Sequence, residues 1–272
     1  MTSQTHLPYC GAPPDPMTLL WRWNLDPILL ILLVAAVVAY AGLAGRASAV
    51  RWRRACFYGG WVLGAAALTS PLCALSVSLF SARVGQHMVL EMIAAPLVAL
   101  GRPLTIFANA FRRSRNGQPS SAHHRHGALG PVVVFAVVLW CWHAPGPYAA
   151  TFHSDVIYWL MHATSFGAAL WLWTALLESP REHLGGFLAA ALATTLQMGF
   201  LGAVITFSAR PVYVAHWLTT GAWGLTPLQD QQLGGVIMWI PAGVIFLGAI
   251  MTALAVAMRQ AGSRPGRGQA LA

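Results

Sequence analysis

Residues Pro27–Ala44, PILLILLVAAVVAYAGLA, carry no charge and no amide side chain, and this run decides the fold class. A bilayer's hydrocarbon is crossed by roughly 20 predominantly apolar residues, whereas the helix of a soluble core keeps a polar face. Six further apolar runs follow, at Ala55–Ser76, Val84–Leu100, Ala128–Trp142, Val156–Leu177, Gly186–Ser208 and Gln232–Met258. The chain therefore reads as all-α, a polytopic membrane helix bundle of about seven transmembrane helices. An external amino-terminal arm (1–26) precedes a seven-helix transmembrane domain (27–258) and a cytoplasmic tail (259–272). The arm is polar and proline-rich with no apolar core, so no cleavable signal peptide is expected and the first span directs insertion.

Composition agrees. Of 272 residues, 57% are hydrophobic and only 8% charged, far less charge than a soluble domain of this size carries. All 16 basic residues are arginines, and they sort by connecting segment rather than forming one patch, so nucleic acid is not an expected partner. Arg46, Arg51, Arg53, Arg54, then Arg102, Arg112, Arg113, Arg115, Arg125, then Arg181, then Arg259, Arg264 and Arg267 fall in alternate segments. Arg22, Arg83 and Arg210 fall in the opposite set. Positively charged loops stay in the cytoplasm, which predicts an amino terminus outside and a carboxyl terminus in the cytoplasm.

Further sequence signals refine the elements. Thr226-Pro227-Leu228-Gln229 offers an N-cap, a first-turn proline and a capping box for the last helix, in which Pro241 is a candidate kink. Pro103–Phe111 reads as a short amphipathic segment or interfacial loop, with Leu104, Ile106, Phe107 and Phe111 offered to lipid. Pairs such as Gly199 with Gly202 and Gly234 with Gly235 would let helices approach closely.

Potential ligands gather toward the outer end of the spans. The third span enters with His87, Met88, Glu91 and Met92; His87 and Glu91 lie one turn apart, as do Met88 and Met92. A carboxylate at that depth must be paired or face a wet cavity, so Glu91 either belongs to a site or fastens helices through His87. His162 lies two turns into the fifth span, below Tyr158, and reads equally as a ligand or as a hydrogen-bonded packing residue. Cys73 ends the second span, Cys141 and His143 end the fourth, and His6 and Cys10 lie on the arm. The four cysteines are too few and too spread to read as a disulfide framework. Thiol, thioether and imidazole donors suit Cu(I) first and zinc second. The candidate metal set is thus His87, Met88, Glu91, Met92, His162, Cys73, Cys141, His143 and Cys10.

Other features carry less. Ser121–His126 is histidine-rich but sits in an arginine-bearing loop; Gln197 and Met198 suit packing or helix bridging; Asp230 is well placed against the dipole of its own helix. No GxSxG or HExxH motif occurs, so no catalytic residue is assigned and the protein is not expected to be an enzyme.

Several stretches carry a resemblance: His87-Met88-Val89-Leu90 running into Ala94-Ala95-Pro96-Leu97 and Gly101-Arg102-Pro103, Tyr158 to His162, and Arg210-Pro211-Val212-Tyr213. The most distinctive is Pro227-Leu228-Gln229-Asp230-Gln231-Gln232-Leu233-Gly234-Gly235, followed by Met238-Trp239-Ile240-Pro241. On these the chain resembles the multi-spanning CtaG-type cytochrome c oxidase assembly factors, the group linked with caa-type oxidases. The resemblance implies a bacterial inner (plasma) membrane protein that supports oxidase maturation, with oxidase subunits and lipid as partners and transient Cu(I) handling as its chemistry. In that family histidines often occur in pairs one turn apart; here Arg83 precedes His87 and Tyr158 precedes His162, leaving one histidine per pair. The alternatives are a haem-binding electron carrier using His87 and His162, a metal permease, and a purely structural assembly partner.

Overall fold

The computed structural model describes residues 6–46, 50–116, 128–178 and 184–262, and every regular element among them is helical. The helices are α1 (Pro27–Arg46), α2 (Arg51–Thr69), α3 (Pro71–Ser78), α4 (Phe80–Met88), α5 (Ala95–Leu100), α6 (Pro103–Asn116), α7 (Leu129–His143), α8 (Pro145–Ala150), α9 (Asp155–Glu178), α10 (Leu184–Thr206) and α11 (Pro227–Gly262). A π-helical turn, Val89–Ala94, joins α4 to α5. Short 3-10 turns at Val214–His216 and Thr220–Trp223 lie between α10 and α11.

Four helices, α1, α9, α10 and α11, are long and apolar enough to cross a membrane, and six spans result if two bent pairs each count as one. The stretch expected as a fourth span forms α7, a 15-residue apolar helix shorter than these. Much of the outward surface is apolar: Ile28, Ile31, Leu32, Val34 and Val38 along α1 are exposed, as a lipid-facing helix requires.

Both bends have local causes. Helices α2 and α3 meet at 51°, where Pro71 cannot continue the hydrogen-bond ladder and Ser70, in extended backbone, accepts from the Leu72 N–H at 3.4 Å. The third span bends by 52° into α6 at Gly101-Arg102-Pro103. The Tyr40 hydroxyl donates to the Gly101 carbonyl at 2.9 Å, and a Cβ on Gly101 would lie 2.6 Å from that of Phe57. Arg102 then takes a positive φ of 54° to turn the chain into Pro103. The segment read as an interfacial loop is therefore a helix, with Leu104, Phe107 and Phe111 exposed and Ile106 packed on the Tyr40–Phe57 cluster.

The last helix begins as expected. Thr226 Oγ1 accepts from the Gln229 N–H, and Gln229 Oε1 accepts from the Thr226 N–H at 2.9 Å, closing the capping box. Helix α11 runs unbroken through Pro241. Gly234 admits the Phe80 ring, while Gly202 and Gly235 let α10 and α11 meet at backbone distance; Gly199 faces open space and plays no such part.

Asp230 differs from expectation. It is fully buried and serves not its own helix but α4, accepting from Phe80 N–H at 2.7 Å and from Ser81 N–H and Oγ–H. Leu79, at the N-cap of α4, has no side chain able to do this, so the carboxylate comes from 150 residues away. Gln231 ties the same end together, accepting from Val212 N–H at 2.7 Å and donating to the carbonyls of Arg210 and Ile205. The Asp230-Gln231 motif is structural.

Candidate functional site

The site forms where the end of the bundle carrying the arm brings α4, α7 and α9 together. Helix α9 packs against α5, the π-helical turn and α7, which sets His162 opposite His87. The two imidazole rings lie 5.0 Å apart, centre to centre, tilted by 53°. Each ring is fixed through Nδ1: His87 against Glu91 Oε1 at 3.3 Å, His162 against the Tyr158 carbonyl at 3.1 Å. Each Nε2 is buried without a hydrogen-bond partner. A third ring, His143, is held by its Nδ1 to the Leu139 carbonyl at 2.8 Å and lies in electrostatic range of His87 and Glu91.

The backbone contributes to this arrangement. Glu91 sits in the π-helical turn, where the regular ladder is interrupted, and its freed carbonyl accepts from Trp173 Nε1 at 2.8 Å. His143 is anchored from the far loop, because the Tyr213 hydroxyl donates to its carbonyl at 2.9 Å. The Arg210–Tyr213 motif thus positions the end of α7. A small crevice beside the histidines is lined by Arg83, Val84, His87, Trp142, His143, Tyr148 and Met161.

Arg83 is no loop arginine. It lies inside α4, 3% exposed, and its guanidinium packs over the rings of Tyr148, Phe152 and Tyr158. The apolar run began at Val84 only because the charge itself broke the pattern. Arg83 and Tyr158, the residues one turn before His87 and His162, meet here, with the guanidinium 5.7 Å from the centre of the Tyr158 ring.

Other expected ligands are placed elsewhere. Cys10 and Cys73, read as unpaired, are joined in a disulfide, so neither is a thiolate donor in this state. Their sulfurs lie 3.3 and 3.8 Å from the Tyr158 hydroxyl, and Tyr9 stacks on Tyr158, so the arm covers the approach to His162. His6 on the arm meets Asp155 at 3.3 Å. Cys141, two residues before His143, is turned about 200° away on the same helix and is exposed. Met88 and Met92 are buried in the apolar core, because a residue adjacent to His87 or Glu91 projects about 100° around the helix. Gln197 accepts from Trp140 Nε1 at 3.2 Å and Met198 is core, both as read. The Ser121–His126 run lies outside the described residues. Among the described residues no three His, Cys, Asp or Glu side chains converge as a metal site. Tyr148, Trp142, Met161 and His216 escaped the sequence reading: the first three are common core residue types with no spacing signal, and His216 lies in a loop between apolar runs, where a histidine draws no notice.

A sequence profile described as the cytochrome c oxidase caa3 assembly factor family matches residues 30–260. The chain belongs to that family. No curated protein and no solved structure shows significant similarity to it. Membership in the caa3 assembly factor family implies a non-catalytic role, and its matched region includes every residue of the histidine cluster.

Proposed function

We propose that this caa3 assembly factor spans the bacterial plasma membrane seven times with its amino terminus outside, and handles Cu(I) for an oxidase subunit at that outer face. The observation that carries the copper part is the pair His87 and His162. Both rings are locked through Nδ1 by an oxygen acceptor, and both Nε2 atoms are buried and unpartnered. Metal-ligating histidines have this outer support, which fixes the tautomer and aims the other nitrogen. Cu(I) accepts as few as two donors, so a third converging carboxylate or thiolate is unnecessary, and His143, which lines the same crevice as His87, is a reserve donor.

Sidedness has two supports. The arginine bias favours an outer arm, and a disulfide between Cys10 and Cys73 persists in an oxidising compartment. The seventh crossing rests on α7, which at 15 residues would need local thinning of the bilayer. A haem between the histidines finds no support, since rings 5.0 Å apart leave no slot for a macrocycle.

The test is Cu(I) competition titration of the detergent-purified protein with ascorbate as reductant, because a dithiol would open the Cys10–Cys73 bond and add two thiols. Wild type is expected to bind one Cu(I) that a His87→Ala/His162→Ala variant loses. Equal affinities would leave a structural assembly partner. In membranes lacking the protein, oxidase copper content is expected to fall; normal oxidase there would remove the assembly role.

A further inference from the structure

Among the described residues Arg83 has no counterion. Among the described residues the ion pairs join His6 to Asp155 and His87 to Glu91, and no carboxylate reaches the buried guanidinium. One terminal nitrogen donates to Thr151 Oγ1 at 2.7 Å and toward Met161 Sδ at 3.7 Å, both neutral, and Nε has no partner. Three aromatic faces offset part of the cost of burying the charge, but none of them neutralises it. The crevice that Arg83 lines has room for about one water-sized particle, and its other walls are Val84, His87, Trp142, His143, Tyr148 and Met161.

We propose that this crevice is a binding site for a small monovalent inorganic anion of halide size, held by Arg83 beside the histidine pair. A halide, somewhat larger than the one water the crevice admits, would take that water's place and neutralise the guanidinium. The site stands without any metal. Where Cu(I) is also bound, the anion offsets a second positive charge in the same low-dielectric pocket.

The test uses copper-free, full-length protein with the disulfide intact. At constant ionic strength, replacing sodium gluconate by sodium chloride is expected to raise the unfolding midpoint saturably by roughly 2–4 °C, with bromide equivalent. Arg83→Gln is expected to abolish the difference. Identical midpoints in the two salts, or a chloride effect that survives Arg83→Gln, overturn the proposal. Should Arg83→Gln fail to fold, wild-type crystals soaked in bromide decide: an anomalous peak beside Arg83 supports the site and its absence overturns it.

Discussion

At the scale of single residues, Glu91 and Tyr158 each hold a histidine ring through its Nδ1. Glu91→Ala is expected to weaken Cu(I) binding about 10–100-fold while leaving His87 present, as read by competition titration. His87→Ala and His162→Ala are each expected to abolish the high-affinity site, and Cys141→Ser to leave it unchanged. His216, in the loop before α11, shares a 2.6 Å hydrogen bond between its Nε2 and the Tyr148 hydroxyl, and burial with Arg83 nearby lowers its pKa from 6.5 to about 3. The unfolded chain therefore takes up a proton that the folded protein refuses, and stability falls as pH drops below about 6.5 toward 3. A lower unfolding midpoint at pH 5 than at pH 7.5, with a shallower slope in His216→Gln, is the expected result. The histidines of the third and fifth spans were legible because a polar residue in an apolar run stands out. Arg83 was hidden by the same logic, since a charge at the edge of a run looks like the end of the run.

At the scale of elements, α4 is the helix whose start is made by another part of the chain. Asp230→Ala would leave the Phe80 and Ser81 N–H groups buried without acceptors, a loss of about 1–3 kcal/mol for each, whereas Asp230→Asn keeps an acceptor and loses less. Thermal unfolding of the two variants checks the order. Because α4 carries Arg83 and His87, a shift there should also weaken Cu(I) binding. The capping box of α11 was readable because all of it lies within four residues. The cap of α4 was not, because nothing local in Leu79-Phe80-Ser81 points to residue 230. The π-helical turn at Glu91 was missed although its signal is local: Pro96, five residues on, has no N–H to offer the Glu91 carbonyl, and Trp173 Nε1 takes that place.

At the scale of the whole molecule, the helical bundle was legible from hydropathy and the family from short motifs spread over most of the chain. Two of the motifs that carry the resemblance, Arg210–Tyr213 and Asp230-Gln231, tie loops to helix ends. What no one-dimensional pattern supplies is rotation about each helix, and rotation separates His143 from Cys141 and His87 from Met88. It also decides that the arm, through Tyr9 and Cys10, lies over Tyr158.

The bond between Cys10 and Cys73 also records the history of the chain. The two cysteines stand 63 residues apart, on either side of α1 and α2, and in the proposed orientation they share a compartment only after both helices have been threaded across the bilayer. An oxidised pair is then a receipt for correct insertion of the first hairpin. Newly made protein blocked with a thiol reagent, reduced and tagged should gain two labels at those positions only once inserted, and a variant with added arginines in the arm that inverts the first helix should never acquire them.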